Sequence, residues 1–256
     1  MEIEILGRGD PDHAVVACVH GDEVCGKLAV ESLRSEVTFR KPVKFVVANE
    51  RAYRAGKQYI NSNLNRSFPG DATASTHEEA LASELLSELA DLAVIDFHSA
   101  MTHPEPFVVV QRSNPTTHRL ACATGLSKAV TFGDLVTNSL IDYVDGVAVE
   151  CGYRGSDRAV ENATTILRNV LATEGIIEGR STYGKVAVYE TFDHVSVKST
   201  EFTAENFRPV SAGETFAMSD DGPITADDTF TPVFMKITED GYVKGYKSEQ
   251  SHMLHW

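Results

Sequence analysis

Short apolar runs alternate with segments of helical periodicity over the first two-thirds of the chain. The apolar runs predict strands over residues 14–19, 43–48, 92–97, 107–111 and 146–151. Helical spacing of apolar residues predicts helices over 23–34, 77–90 and 156–172, the last with Ser156 or Asp157 as its N-cap. Strands that alternate with helices indicate an α/β fold with a doubly wound, mostly parallel sheet.

The pattern changes after about residue 180, where short strand-like segments are separated by turn residues such as 219–222 and 240–241. We therefore divide the chain into a first domain over residues 1–178 and a small β-rich C-terminal domain over 179–256. Within the first domain, residues 61–75 are polar and aperiodic. Ordered loops of this length in compact domains are often functional.

Composition narrows the class of protein. The net charge of −14 over 256 residues disfavours a nucleic acid or an anionic membrane surface as partner, because both carry negative charge. No apolar stretch approaches the length of a membrane span, and the N-terminus does not look like a secretory signal. The four cysteines form no C-x-x-C pair. We expect a cytoplasmic protein with reduced thiols; the oligomeric state stays open, with a homo-oligomer as one option.

The excess of acidic residues also suggests the kind of cell from which the protein comes. The positive charge comes from 10 lysines and 13 arginines. An acidic surface with few lysines is typical of proteins from a high-salt cytoplasm. An ordinary acidic cytosolic enzyme has the same composition, and composition alone does not separate these two interpretations.

Candidate metal ligands follow two of the predicted strands. His20 and Glu23 come after the strand over 14–19, and His98 ends the strand over 92–97. The carboxyl ends of such strands are where α/β sheets place their ligand sites. Imidazole nitrogen and carboxylate oxygen suit zinc, and Asp96 is placed to orient a ligand histidine. The alternative is a surface histidine, a helix-start glutamate and an ordinary strand-end histidine.

Two further elements carry candidate chemistry. Glu150 ends the apolar run over 146–151, where partial burial raises a carboxyl pKa towards that of a general base. The alternative is a glutamate that reaches solvent from the strand edge. In the polar loop, Asn65 and Arg66 offer a neutral donor and a planar fork for a carboxylate. The alternative is a loop arginine paired with one of the many acids.

Taken together, these motifs resemble the succinylglutamate desuccinylase/aspartoacylase family of zinc-carboxypeptidase-like hydrolases. The matching segments stand in the family's order: VHGDEVCG at 19–26, ANERAY at 48–53, QYINSNLNRSFPG at 58–70, DFHSAM at 96–101 and VAVECG at 147–152. The β-rich tail is similar to the family's small C-terminal domain. The resemblance implies a zinc-carboxypeptidase-like fold with a mixed, mostly parallel sheet.

The resemblance also implies a mechanism. It places one Zn²⁺ per chain on His20, Glu23 and His98, with Glu150 as the general base. It implies that Asn65 and Arg66 bind the substrate carboxylate, and it matches Tyr242 to a tail tyrosine that reaches the site. The implied reaction is hydrolysis of an amide bond, the deacylation of an N-acyl amino acid or a similar small-molecule carboxylate.

The chain departs from the family pattern at substrate-binding positions. Gln58 stands where an arginine is expected to stabilise the oxyanion. Leu140 stands where an arginine would hold a second substrate carboxylate, with Arg154 and Arg158 as nearby replacements. These differences argue against N-acetylaspartate and succinylglutamate as substrates.

Three alternatives remain open from the sequence. The same residues serve a carboxypeptidase that acts on short peptides, with Arg66 on the terminal carboxylate. Gln58 favours a metal-binding or regulatory module that has lost catalysis. The third alternative is an α/β domain with no metal.

Overall fold

The computed structural model describes residues 1–103 and 105–256. In chain order the strands are β1 (Glu2–Leu6), β2 (His13–Ala17), β3 (Val43–Val47), β4 (Ala93–Ala100), β5 (Phe107–Val109), β6 (Lys128–Thr131), β7 (Asp145–Tyr153), β8 (Val186–Lys198), β9 (Glu201–Phe202), β10 (Thr215–Ser219), β11 (Gly222–Thr225), β12 (Thr231–Ile237) and β13 (Tyr242–Leu254). The α-helices are α1 (Cys25–Leu33), α2 (Glu50–Arg54), α3 (His77–Glu88), α4 (Pro115–Ala123) and α5 (Asp157–Thr173). Short 3₁₀ turns cover Leu64–Arg66, Gly133–Leu135 and Leu140–Asp142.

One large mixed sheet organises the molecule, with strand order β1-β3-β2-β4-β7-β5-β6-β8-β13-β12. Strands β3, β2, β4 and β7 are parallel to one another, and β5, β6 and β8 form a second parallel group. Strand β5 joins the two groups by pairing antiparallel with β7. The predicted doubly wound, mostly parallel sheet is confirmed.

Helices cover both faces of the central strands. Along β2, Val15 and Ala17 belong to the apolar core that includes α1 and α5, whereas Ala14 and Val16 belong to the core that includes α3. Successive side chains of a strand point to opposite faces, so a strand buried on both faces is apolar at every position. This is why the 14–19 run shows no polar alternation.

Element boundaries differ from the predicted ones where the chain turns towards the sheet edge. Strand β2 ends at Ala17 because Cys18 takes a left-handed conformation, with φ of 57°. Helix α1 begins at Cys25 rather than at residue 23, so Glu23 lies in the preceding loop. Ser156 is the N-cap of α5, and its hydroxyl accepts from Ala159 N at 3.2 Å.

Several elements were not predicted. They are short or lie at an edge of the sheet: β1, α2, α4 and β6. Strand β1 (EIEIL) is an edge strand and is largely exposed. Helix α4 does carry a start signal, since Asn114 accepts from Thr117 N at 2.9 Å and proline follows at the first helical position.

The C-terminal segment is continuous with the large sheet. Strand β8 pairs in parallel with β6, with Ala187 opposite Lys128, and β13 and β12 follow β8 at the same edge. A smaller antiparallel sheet of β11, β10 and β9 stands apart from it and packs through Phe216, Phe230 and Val243. The proposed division between residues 178 and 179 stays a prediction, and sheet pairing crosses it.

Within the described residues, the helices are too short or too polar to cross a lipid bilayer.

The four cysteines are buried, unbridged thiols: Cys18, Cys25, Cys122 and Cys151. Burial raises the pKa of the Cys18 thiol to about 12 and also raises the pKa of Cys122 and of Cys151. The neutral thiol is a poor nucleophile.

We predict that the native protein does not react with a thiol reagent such as dithionitrobenzoate at pH 8, whereas the protein in guanidinium chloride releases all four equivalents. Rapid labelling of any thiol in the native protein would contradict this burial.

Candidate metal centre and substrate cavity

The predicted metal ligands meet at the carboxyl ends of two adjacent parallel strands. Ala17 of β2 lies beside Phe97 of β4, so the loop that follows β2 and the last residues of β4 share one edge. His20 and Glu23 come from that loop, and His98 comes from β4. One candidate ligand atom from each of the three side chains lies within 4.8 Å of the other two.

Their contacts show which atoms converge. His20 Nδ1 lies 2.9 Å from Glu23 Oε1, and His98 Nδ1 lies 3.0 Å from Glu23 Oε2. The two imidazole ring centroids are 5.2 Å apart. Two nitrogens and one carboxylate oxygen at this separation form a donor set that suits Zn²⁺ in catalytic sites with three protein ligands.

The opposite nitrogen of each imidazole is held by another side chain. His98 Nε2 donates to Asp96 Oδ2 at 2.8 Å, and His20 Nε2 donates to Asn63 Oδ1 at 3.0 Å. Such partners fix the ring orientation and leave Nδ1 as the metal-binding nitrogen. The predicted orienting role of Asp96 therefore agrees with the geometry, and Asn63 is a partner that sequence reasoning did not assign.

Burial and charge act against each other in this cluster. Burial opposes ionisation of Glu23, but its hydrogen bonds with His20 and His98 hold the carboxyl pKa below its usual value. Burial likewise opposes a charged His98, but Asp96 and Glu23 raise the pKa of that imidazole well above its usual value. The cluster thus combines a carboxylate with imidazoles that face strong negative charge, which is the electrostatic environment of a cation site.

Glu150 stands beside this cluster. It is directly opposite His98 in the pairing of β7 with β4. Burial raises the pKa of its carboxyl to about 8, although the neighbouring His98 lowers it. Its Oε2 atom has no hydrogen-bond partner among the described residues. A half-buried carboxyl with one shielded, unpaired oxygen and a pKa near neutrality has the properties of a general base.

A cavity of about 330 Å³ opens onto the cluster, at the lower end of the size range for small-molecule sites. Gln58, Asn65, Arg66 and Arg154 line it together with the three candidate ligands and Glu150. The structure therefore brings all the predicted site residues together except Tyr242.

The tail tyrosine at the cavity is Tyr246 rather than Tyr242. Tyr246 lines the cavity, whereas Tyr242 lies four residues earlier on β13, opposite Lys198. Four residues of extended strand span about 13 Å. The sequence match chose Tyr242 because the register of the tail depends on turns that sequence comparison did not resolve.

The loop that carries Asn65 and Arg66 is tied to the rest of the cavity wall. Asn63 caps the 3₁₀ turn Leu64–Arg66 through Asn65 N at 2.9 Å. Asn65 Oδ1 accepts from Leu140 N at 3.0 Å, which leaves its NH₂ group for a substrate. The exposed guanidinium of Arg66 donates to the carbonyl oxygen of Asn65.

Gln58 and Arg154 line the cavity and both contact the β2–α1 loop. The carbonyl oxygen of Gln58 accepts from Gly21 N at 3.0 Å. The Arg154 guanidinium pairs with Asp22, and Arg154 Nε has no partner within the described part of the chain. Gly21 is required for close packing, since a Cβ there would lie 2.3 Å from the backbone of Ala52.

Glu78 is a residue that sequence reasoning missed. It is fully buried in the first turn of α3, where its carboxylate accepts from Ile60 N at 2.6 Å, Asn61 N at 2.9 Å and Ser62 N at 3.2 Å. Asn49 Nδ2 adds a fourth donor at 3.1 Å. The sequence showed only an acidic residue at a helix start, which is expected from the helix dipole alone. In the structure it anchors the segment that leads to Asn63, Asn65 and Arg66.

We predict that Glu78→Gln lowers the free energy of unfolding at pH 7 by about 1–3 kcal/mol, because an amide NH₂ cannot accept from three backbone N–H groups. Burial raises the pKa of this carboxyl, but the backbone donors of Ile60 and Asn61 outweigh it and lower the pKa. The stabilisation is therefore complete above the unfolded pKa of about 4.3 and is lost as the pH falls through the folded pKa.

Denaturant titrations of both proteins from pH 7 to pH 3 measure this difference. Glu79→Gln is the matched control, because Glu79 is exposed in the same helical turn. Equal stability of Glu78→Gln and Glu79→Gln would show that the buried carboxylate does not anchor the loop.

Comparison with known proteins agrees with this geometry. A family model described as the succinylglutamate desuccinylase/aspartoacylase catalytic domain matches residues 10–132. No curated protein sequence matches the chain.

Solved structures show the same fold. The product-bound ectoine utilization protein EutE (DoeB) from Ruegeria pomeroyi is 21% identical with a TM-score of 0.76, covering 98% of this chain and 88% of its own. A succinylglutamate desuccinylase/aspartoacylase from Rhodobacter sphaeroides is 21% identical with a TM-score of 0.73, covering 99% and 88%. Murine aminoacylase 3 is 19% identical with a TM-score of 0.70, covering 97% and 99%. The catalytic-domain match over residues 10–132 confirms the predicted resemblance to the succinylglutamate desuccinylase/aspartoacylase family.

Proposed function

We propose that this protein is a zinc-dependent amidohydrolase that removes the acyl group from an N-acyl amino acid or a similar small carboxylate. Its family is one of hydrolases. The observation that carries the proposal is the convergence of His20, Glu23 and His98 beside the half-buried carboxyl of Glu150. The cavity there is large enough for a small molecule and is lined by candidate carboxylate-binding side chains.

The residues present fit one zinc ion per chain. Two Nδ1 atoms and one carboxylate oxygen provide three ligands, and Asp96 and Asn63 occupy the opposite nitrogens. When bound, such an ion polarises the amide carbonyl and makes an attacking water more acidic. Ligand type alone does not select zinc over other divalent ions, so metal analysis is part of the test.

Glu150 moves the protons in this proposal. It takes the proton from the attacking water and later delivers it to the leaving nitrogen. A carboxyl pKa of about 8 suits both steps, because acceptance and donation are each feasible near neutral pH. The pairing of Glu150 with His98 across adjacent strands places this base beside the candidate ligands.

Arg66 and the NH₂ group of Asn65 bind the substrate carboxylate. Arg66 is exposed at the cavity, where a guanidinium forms two hydrogen bonds with a carboxylate. Gln58 is neutral and offers a hydrogen bond to the developing oxyanion. Arg154, which Asp22 holds beside the same loop, supplies positive charge at the cavity wall.

We predict that the purified protein contains one zinc ion per chain and that His98→Ala loses both the metal and the activity. Loss of His98 Nδ1 leaves two candidate ligands. The carboxylates of Glu23 and Asp96, which each contact His98, lose this shared partner. Elemental analysis and turnover of acylated amino acids measure the result. His252→Ala is the control, because His252 is exposed on β13. Full metal content in His98→Ala would remove this residue from the site.

We predict that Glu150→Gln keeps its zinc but loses about 10²–10⁴-fold in turnover, the usual contribution of general acid–base catalysis. The amide is isosteric but does not take up a proton. Parallel metal analysis separates this loss from a loss of the ion.

A panel of acylated amino acids and dipeptides distinguishes a deacylase from a carboxypeptidase. Absence of turnover by the zinc-loaded wild type on the whole panel would contradict the proposed function.

A further inference from the structure

The cavity continues beyond the candidate catalytic groups into an apolar section. We call this section the apolar arm; it is formed by Val109, Phe132, Val136, Ile141, Ala148 and Phe234. Most of these side chains belong to one apolar cluster that packs between the large sheet and the 132–141 loop. The side chains of the arm are therefore held in place by packing and form a defined wall of the cavity.

Strand register places the arm directly beside the candidate base. Ala148 lies two residues before Glu150 on β7, so both side chains are on the same face and about 7 Å apart along the strand. Val109 of β5 pairs with Ala148, and together these two residues form the floor of the arm. In the proposed reaction Glu150 protonates the leaving nitrogen, so the group attached to that nitrogen faces the arm.

Aromatic rings form another part of the wall of the arm. Phe234 packs against Phe107 and Phe132, with ring centroids 5.1 Å and 5.8 Å apart. Strand β12 has a register shift between Val233 and Lys236, and Phe234 within it has φ of 51°. A bulky residue in this conformation is strained, and bulges beside sites redirect side chains. Here the bulge places the Phe234 ring in the cavity.

The polar groups near the arm are unsuited to a second carboxylate. Gln111 is already engaged, since it donates to Val136 O at 3.1 Å and accepts from Phe132 N at 2.8 Å. Asp96, on β4 beside Ala148, is buried, and its Oδ1 has no partner among the described residues. Tyr246, whose ring centroid lies 5.0 Å from that of Phe132, brings a neutral hydroxyl to this wall. A carboxylate in the arm would still lose most of its hydration among apolar side chains and would meet the charge of Asp96.

Lys236 does not change this conclusion. It lines the cavity and also two surface depressions, and its side chain is partly exposed. We therefore assign its ammonium group to the open side of the cavity, where a carboxylate keeps part of its hydration. It is placed for a carboxylate at the cavity entrance, as Arg66 is.

We propose that the apolar arm binds the side chain of the amine half of the substrate, and that this side chain is aromatic or branched aliphatic. This proposal rests on the proposed deacylase function and assigns its substrate class: N-acyl derivatives of apolar amino acids. The arm discriminates against aspartate and glutamate derivatives, because their second carboxylate finds apolar walls and a buried acid.

The first test is substrate preference. The zinc-loaded protein is assayed with N-acetyl-L-phenylalanine, N-acetyl-L-leucine, N-acetyl-L-aspartate and N-acetyl-L-lysine. We expect kcat/KM for the two apolar substrates to exceed that for the two charged ones by at least about ten-fold, since filling an apolar pocket gives discrimination of this order. A preference for the aspartate or the lysine derivative overturns the inference while leaving the deacylase function intact.

The second test changes the arm itself. Val136 is half-buried in a loop, and its hydrogen bond to Gln111 uses only the backbone carbonyl, so substitution there spares the core. In Val136→Arg the ratio of kcat/KM for the aspartate derivative to that for the phenylalanine derivative should rise at least about ten-fold, because the arm gains a cation. Val136→Leu is the matched control; it keeps the wall apolar and should leave this ratio within about three-fold. Equal ratios in the two variants overturn the assignment.

Binding separates this inference from the proposed function. Titration calorimetry of zinc-loaded Glu150→Gln with the same four compounds gives their order of affinity without turnover. Tighter binding of the apolar compounds supports the arm even if the wild type does not hydrolyse them, in which case only the deacylase function fails. No apolar preference in binding overturns the inference.

Discussion

A single buried carboxylate, that of Glu23, holds the site together. It is 4% exposed and contacts His20 from the β2–α1 loop, His98 from β4 and the backbone N–H of Ser99. A buried charge is tolerated only when it is paired and hydrogen-bonded. The three segments must therefore keep their relative positions or leave this charge without partners. The same arrangement presents two imidazole nitrogens and a carboxylate to one point, so the constraint on folding and the capacity to bind a cation have one origin.

The cavity around this carboxylate is assembled from segments distant in the chain. The loop with Asn65 and Arg66 depends on the buried Glu78 of α3, the floor comes from β7 and β5, and the far wall comes from β12 and β13. The family match covers residues 10–132, which include the candidate ligands but neither Glu150 nor the C-terminal strands. The candidate metal ligands and the loop with Asn65 and Arg66 therefore lie within the matched stretch, whereas the candidate base and the β12 and β13 wall of the cavity lie beyond it.

Sequence reasoning pointed to residues that follow an apolar strand, and the structure places these residues in one cavity. His98 and Glu150 each end such a run, and parallel neighbouring strands bring their carboxyl ends together. It failed where the position depends on register or on a long-range partner. Tyr242 was chosen in place of Tyr246, and Glu78 resembled any acid at a helix start. The sequence does not mark Phe234 and Lys236 as cavity residues, because a bulge in a late strand leaves no signal in a local pattern.

The sequence by itself determined the α/β class, the candidate ligands, the candidate base and the family, because apolar periodicity and short motifs are local properties of the chain. The tertiary structure decided that β8, β12 and β13 extend the main sheet, that Asn63 supports His20, and that an apolar arm adjoins Glu150. These features come from pairing and packing between residues far apart in sequence. Such contacts depend on the register and twist of the whole sheet, which no local window of residues contains.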